Sequence, residues 1–372
     1  MPEEKLFWIW LNNIPGIGAR RFYKLMECYD SPKRLFYAAE KDLGPAANIL
    51  GDKIMASLRE LRRDDALENA RTIMRHSDLK ILTLLSPTYP PLLKTIYDPP
   101  PVLYCMGNPL RSDHPAIAVV GSRRSSEYGR MAARKVSCEL ARLGVTVVSG
   151  MARGIDTMAH KGALDADSGY TIAVLGGGVD YIYPAENTAL YYSILSHGTV
   201  ISEFPPGTAP VPGNFPARNR IVSGLSCGLL VVEAGLKSGA LITVDCALDQ
   251  GREVYALPGN ISSPYSLGTN KLLKEGAKMV TSAEDILEDL RSIFTFEGQA
   301  EPASLPPQQT PVLDFFESLV YNALEDGEKG LEDLIQTTKM PPGQLNGVLT
   351  LMEIKGIIKQ LPGKIFMKQW KA

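Results

Sequence analysis

The sequence predicts an α/β protein: a Rossmann-like, doubly wound, mostly parallel sheet between two helical segments. The first segment is a small SAM/helix-hairpin-helix-like domain and the last a winged helix. Three observations carry this expectation. Through the middle of the chain, short and continuously apolar runs alternate with amphipathic stretches, as strands buried on both faces by crossover helices require. Both ends instead show apolar residues at three- and four-residue spacing. A polar, proline-rich stretch separates the last segment from the rest. The length of 372 residues suits two or three domains.

Residues 1–80 form the helical segment, with Leu58, Leu61 and Ile73 on helical spacing. Residues 81–115 are a connector that packs on the core. The prolines of PTYPPLLKTIYDPPPVLYCMGNP forbid long helices, and Tyr97, Val102, Leu103 and Tyr104 call for burial. Residues 116–296 are the core. Its strands are AIAVVG (116–121), VTVVSG (145–150), TIAVLGG (171–177), TVIS (199–202), GLLVVEA (228–234) and EVYALPG (253–259), with helices over 129–143 and 238–250 between them. Residues 297–311, EGQAEPASLPPQQTP, read as a flexible linker. Residues 312–372 carry three helical patterns and two short strands around Pro362-Gly363, the winged-helix arrangement.

Composition narrows the function classes. With 45% hydrophobic and 22% charged residues the chain is globular rather than disordered. The formal charge of −2 gives no global field for nucleic acid or membrane, so any such role rests on a local patch. Cys28, Cys105, Cys138, Cys227 and Cys246 are scattered without a CxxC pair, which disfavours a zinc site or disulfide framework and fits a reducing compartment. MPEEKLFWIWLNNIPGIG has no small-residue cleavage site, and no apolar stretch is long enough to span a bilayer. The expectation is a cytoplasmic protein with no membrane association.

The candidate chemistry gathers where strands end. GSRRSSEYG (121–129) leaves the first core strand and opens a helix, placing backbone N–H groups at its positive end. Ser122 and Arg123 stand where a dinucleotide fingerprint would need glycine, and Arg123 and Arg124 offer forked donors to phosphate. Between residues 121 and 153 seven cations face two acids, a local basic face. SGMARGID (149–156) repeats the pattern with Gly150, Arg153 and Gly154. FPARNRIVSGLS (215–226) brings Phe215, Arg218, Asn219 and Arg220, and GLKSGALIT (235–243) brings Lys237, Ser238 and Gly239 to another helix start. Donors converging without paired acids describe an anion cradle. In IPGIGARR (14–21) two readings stand: a phosphate-binding hairpin turn, or simply a tight helix–helix turn.

These motifs resemble the DNA-processing protein A family (DprA, also called Smf). The resemblance covers GSRRSSEYG, SGMARGIDTMAH, LGGGVDYIYPAEN, SEFPPG, FPARNRIVSGLS, VVEAGLKSGALIT, GREVYALPG and SLGTNKLLKEGA in the family's order and spacing, and YPPLLKTIYDPPPVLYCMGN as lead-in. It implies a Rossmann-like core, a homodimer formed through that core, single-stranded DNA as ligand, and loading of the recombinase RecA in natural transformation; the apolar stretch LVVEAGLKSGALI is either part of that dimer face or ordinary core. By motif position it implies phosphate contacts at Arg123, Arg218, Arg220, Lys237 and the amides near Gly121 and Gly150. Phe215 becomes either a base-stacking platform or a packed loop anchor. One departure stands out: where some members of the family carry a lysine after YP, this chain has Ala185 and Glu186, which implies a weaker grip at that edge.

An enzyme is the alternative. Asp156 and His160 lie one helical turn apart, as a base and its orienter would, or as a helix cap and a satisfied histidine. Asp180 and Glu203 both end strands. Glu233 lies where related nucleotide-cleaving Rossmann enzymes keep a catalytic glutamate, without their glycine-rich signature. No GxxxxGK[ST] phosphate loop is present, and no cofactor or metal is expected. The C-terminal segment, residues 312–372, carries seven lysines against eight acids, and its second long helix has no base before Lys355, so protein contact suits it better than a DNA groove.

Overall fold

The computed structural model describes residues 2–291, 313–325 and 327–368, in two compact units that divide between Phe294 and Thr295. The linker expected over 297–311 lies outside the described residues.

The first unit is built on a nine-stranded sheet: β1 (Lys80–Thr83), β2 (Val102–Gly107), β3 (Ala116–Val120), β4 (Thr146–Ser149), β5 (Thr171–Val174), β6 (Thr199–Ser202), β7 (Gly228–Val231), β8 (Glu253–Ala256) and β9 (Lys278–Met279). Their order is β1-β2-β6-β5-β4-β3-β7-β8-β9. From β6 to β9 every pairing is parallel, while β2 runs antiparallel to both β6 and β1. The doubly wound core stands as the apolar runs predict. β3, β4, β5, β6 and β7 are buried along their whole length, because helices cover both faces.

The connector over 81–115 contributes more than packing, since most of β1 and all of β2 belong to the sheet. Alternation along β2 divides it between two cores. Val102 and Tyr104 face the N-terminal helices, while Leu103 and Cys105 join the opposite face. Tyr97 departs from expectation: it is 82% exposed, with the Arg20 guanidinium 4.8 Å from its ring centre.

The N-terminal helices are Pro2–Asn12, Ala19–Tyr29, Pro32–Tyr37, Gly44–Glu60 and Asp64–Met74. Residues Leu6 to Leu11 are all buried, and Trp10 and Phe36 meet edge to face at 4.9 Å. In the IPGIG turn, Ile14 and Ile17 point inward. Gly16 takes φ 89°, and a side chain there would stand 2.8 Å from Ile54 Cδ1. Packing accounts for this motif.

The second unit contains helices Phe315–Ala323, Leu331–Thr338 and Pro342–Ile354, with strands β10 (Lys329–Gly330), β11 (Ile358–Leu361) and β12 (Ile365–Lys368) in the order β10-β12-β11. The two-residue β10 is too short to leave a periodicity in the sequence. Asp314 and Glu317 close a capping box on the first of these helices. The helix Pro342–Ile354 turns Leu351 and Ile354 to solvent.

Two helices of the first unit fix the loops described below. Glu127–Arg142 and Ile155–Leu164 cross so closely that a Cβ on Gly162 would collide with the Arg134 carbonyl oxygen. Arg134 then pairs with Asp165 (Nη2 to Oδ1, 2.8 Å) across the same contact. Gly162→Ala is expected to cost about 1–3 kcal/mol through overpacking, seen as a lower urea midpoint without a change in slope.

Candidate functional site

The chain order reverses between β3 and β7, whose crossovers leave in opposite directions. In open α/β sheets a crevice forms there, outside the carboxyl ends of the strands. Here it is a cleft of about 740 Å³. Of the predicted residues, Gly121, Ser122, Arg123, Arg124, Gly150, Phe215, Arg218, Asn219, Lys237, Ser238 and Gly239 line it.

The loop after β3 is held from within. Ser126 caps helix Glu127–Arg142 by accepting from Gly129 N–H (3.0 Å), and its own N–H and hydroxyl donate to Glu233 at 2.9 and 2.5 Å. Glu233 is 2% exposed. A carboxylate of the protein therefore occupies the helix N-terminus that the sequence offers to phosphate, and Glu233 is a structural cap rather than a catalytic group. The Ser122 N–H donates to the Glu233 backbone oxygen (2.8 Å). Gly121 is required by close approach, since a Cβ there would lie 2.6 Å from Ile155 Cγ1. Arg123 and Arg124 are left exposed, and neither forms an ion pair among the described residues.

The loop after β4 behaves similarly. Met151 is buried at φ 54°, an unusual conformation for a non-glycine, held by Asn187 Nδ2–H donating to its carbonyl (2.9 Å). Gly154 takes φ 75°, and any side chain there would strike Ser122 O. Asp156 accepts from Ala152 N–H at 3.4 Å. Burial pushes its carboxyl above the usual range, and the Arg218 guanidinium pulls it back. Arg153 stands on the rim in a bidentate pair with Glu186 (2.7 and 2.8 Å).

The helix Asn214–Gly224 separates its two arginines. Two residues apart is more than half a turn, so they face opposite ways. Arg218 is 4% exposed. It donates to the Val174 carbonyl and packs on the bare backbone of Gly150, where a Cβ would collide with it. Burial lowers its pKa to about 10 despite the Asp156 charge. It is the floor of the cleft. Arg220 does not join it, contrary to expectation. It points away and binds Glu203 (2.6 Å) and Asp98 (3.4 Å).

Phe215 is half-buried beside the cleft. The Arg123 guanidinium lies 5.2 Å from its ring centre and the Tyr183 ring 5.6 Å away, tilted by 41°. Tyr183, 42% exposed, is a lining residue that the sequence reading passed over. An exposed aromatic in DYIYP after a strand end was the available signal. Opposite, the helix Ala240–Asp249 begins at the cleft with Gly239 as N-cap and no side-chain cap hydrogen bond. Lys237 there is exposed and forms no ion pair among the described residues.

The candidate acid–base groups are engaged elsewhere. His160 is fully buried with Nδ1 2.7 Å from Thr171 Oγ1. That hydroxyl donates to Val147 O (2.7 Å), which assigns the histidine proton to Nδ1. Burial, reinforced by Arg218, lowers its pKa to about 3, so it is neutral. Asp180 accepts from Gly207 N–H at 2.8 and 3.0 Å, while Glu203 holds Arg220. Among the described residues no cluster of three His, Cys, Asp or Glu side chains is placed to hold a metal, and no helix is long and apolar enough to cross a membrane.

Fold and site together define a doubly wound α/β protein with a cationic, aromatic-walled cleft at its switch point. Residues 80–291 match the family model of DNA recombination-mediator protein A, and residues 300–364 match that of the DprA winged-helix domain. The chain belongs to the DNA recombination-mediator protein A (DprA/Smf) family. It is 32% identical to protein Smf of Synechocystis over 99% of both chains. With DNA processing protein DprA of Bacillus subtilis it shares 45% identity, covering 58% of this chain and 73% of that one. Among solved structures, DprA of Streptococcus pneumoniae superposes with a TM-score of 0.67 at 36% identity, covering 79% of this chain and 99% of that one. DNA processing protein A of Helicobacter pylori, solved for its single-stranded DNA binding mode, gives 0.53 at 31%, covering 59% and 99%.

His160 makes a pH prediction with a definite sign. Its folded pKa lies below the unfolded value of about 6.5, so the unfolded chain takes up a proton that the folded chain refuses. Stability from this group is complete above pH 6.5 and falls by about 1.4 kcal/mol per pH unit toward its folded value. Buried Asp156 and Glu203, with raised pKa values, act in the opposite direction. The contribution is therefore read as a difference: between pH 6.5 and 4.5, wild type is expected to lose about 2–3 kcal/mol more than His160→Gln in urea unfolding.

Proposed function

We propose that this protein binds single-stranded DNA without regard to sequence and presents it to the recombinase RecA, as a non-enzymatic mediator of recombination and natural transformation. The observation that carries this reading is the set of cations without an ion-pair partner, Arg123, Arg124 and Lys237, around one cleft that also holds Phe215 and Tyr183. Phosphates meet the three cations beside the positive end of helix Ala240–Asp249, whose first amide, Ala240 N–H, donates to Ser238 Oγ at 3.4 Å. Bases rest on the two aromatic rings, whose faces accept any base. Arg218 and Gly150 support the floor. The relatives, DNA processing proteins of which the Helicobacter pylori one has a described single-stranded DNA binding mode, support the same reading. The groups that an enzyme would need, Asp156, His160, Asp180, Glu203 and Glu233, are each committed to a structural partner. The cytoplasm, where RecA and its DNA reside, is the matching location.

The test is fluorescence anisotropy of a labelled oligo-dT strand and its duplex at two salt concentrations. Single strands are expected to bind more tightly, with log affinity falling by about 2 per decade of salt for about three neutralised phosphates. Arg123→Ala and Lys237→Ala should each lower affinity about tenfold and flatten that slope by about 0.7. Phe215→Ala removes a stacking surface at about 1–3 kcal/mol per base. Arg220→Ala serves as control. It leaves the buried Glu203 unpaired, while Asp98 keeps Arg20, and lowers stability by about 3 kcal/mol while the folded fraction keeps its affinity. Deleting residues 310–372 should preserve most single-strand affinity, because the helix Pro342–Ile354 carries no lysine or arginine and turns Leu351 and Ile354 to solvent. Its loss by more than tenfold, or equal feeble binding by wild type and Arg123→Ala, would refute the assignment.

The same reading includes a homodimer through the core. Within LVVEAGLKSGALI, the strand portion up to Ala234 is buried core. Leu236, Ile242 and the nearby Leu248 remain 58%, 41% and 60% exposed, a face that a second copy would cover. Sedimentation should return twice the chain mass for wild type and a monomer for Leu248→Lys; a wild-type monomer at micromolar concentration would remove the dimer.

A further inference from the structure

The rim of the cleft carries a contact that the phosphate-binding reading does not use. Beside the main cleft is a small recess lined by Arg123, Arg153, Tyr183, Pro184 and Phe215 along with Gly150 and Ala152. Arg153 thus borders the same wall as the free Arg123 and the two aromatic rings, where a strand leaving the cleft would pass. The Nε–Nη2 edge of its guanidinium is taken by Glu186, Nε to Oε1 at 2.7 Å and Nη2 to Oε2 at 2.8 Å. The two side chains are equally exposed, at 55% each.

The pair is not a chance meeting of two mobile side chains. Glu186 lies in the turn Ala185–Asn187, and the next residue, Asn187, is 6% exposed. Its amide donates to the Met151 carbonyl and to Thr157 Oγ1, both at 2.9 Å. That staple fixes the backbone carrying Glu186 against the loop carrying Arg153. A bidentate carboxylate presents a guanidinium with the same planar pair of acceptors that a phosphate does.

We propose that Glu186 is an internal phosphate mimic that withholds Arg153 from the DNA strand and so sets the affinity of this site. The inference rests on the proposed single-strand binding. A phosphate approaching the Nε–Nη2 edge must displace an acceptor already in place, and elsewhere it meets a cation whose charge Glu186 already balances, so Arg153 adds little net affinity in the native protein. Removing the carboxylate charge frees a preplaced cation beside Phe215 and extends the phosphate track by one position. The chain tunes its grip downward at this edge, which speeds release of the strand to its next partner.

The experiment is a double-mutant cycle on the full-length protein with labelled oligo-dT, across a salt series. Glu186→Gln keeps the size of an exposed side chain and is expected to tighten binding about fivefold while steepening the salt slope by about 0.7, the mark of one additional neutralised phosphate. Arg153→Ala alone should change affinity less than twofold. Adding Arg153→Ala to Glu186→Gln should abolish the gain and restore the native slope. The proposal is overturned if Glu186→Gln leaves affinity and slope unchanged, if the gain survives without Arg153, or if Arg153→Ala alone weakens binding tenfold. Failure of the underlying reading looks different: Arg123→Ala, measured alongside, would then leave whatever binding exists untouched.

Discussion

Much of the site depends on one buried carboxylate. Glu233 follows β7 and reaches the start of helix Glu127–Arg142, where it accepts from both the N–H and the hydroxyl of Ser126. The contact ties the end of β7 to the end of β3, the two strands between which the sheet reverses direction. It also needs Gly129 on the helix, because any Cβ there would collide with the carboxylate. A buried polar group of this kind is tolerated when it is hydrogen-bonded, and Ser126 gives each carboxyl oxygen one donor. The Glu233 backbone oxygen also receives Ser122 N–H, and the loop that bears Arg123 and Arg124 has a single course. The helix dipole that might have held a ligand instead holds the fold.

The same logic sorts the cations. Arginines that burial would penalise are matched internally: Arg218 with Val174 O and the Asp156 charge, Arg220 with Glu203 and Asp98. Those able to remain in water have no such need, and Arg123, Arg124 and Lys237 keep their donors for a ligand. Arg153 sits between these classes, exposed and yet paired. The cleft's field is thus the remainder after folding has taken its share of charge. This is how a chain of net charge −2 presents a positive crevice.

The parallel core was legible because both faces of its strands are covered, so AIAVV, TVVS and TIAV are continuous apolar runs that no surface helix would show. The loop positions were legible because glycines mark where backbones approach, as at Gly121 and Gly154. What could not be read was the direction of a side chain in a helix of unknown orientation. Arg218 and Arg220 look equivalent in FPARNR, and only the placement of Asn214–Gly224 over β5 sends one beneath the cleft and the other into an ion network. Nor does a sequence reveal that an acid a hundred residues away caps a helix. Tyr97 misled because aromatic residues between prolines suggest burial, while here the ring is stacked by Arg20 at the surface. β1, β9 and β10 are too short to register a period, and β2 follows directly on the prolines of the connector, which mask it as a strand.

The arrangement also explains how binding strength and rigidity are separated. The groups that give the cleft its shape, namely Glu233, Asp156, Arg218 and Asn187, are buried and hydrogen-bonded to backbone, so they resist motion. The cations proposed to meet the ligand are long, exposed side chains on those rigid loops, and each exchanges water or a counterion at little cost. Affinity in such a site accumulates through several weak, salt-sensitive contacts plus stacking, with no one deep pocket required. A strand held this way is replaceable one phosphate at a time. That property suits a protein whose ligand is to be passed on, and it follows from which charges folding consumed and which it left in water.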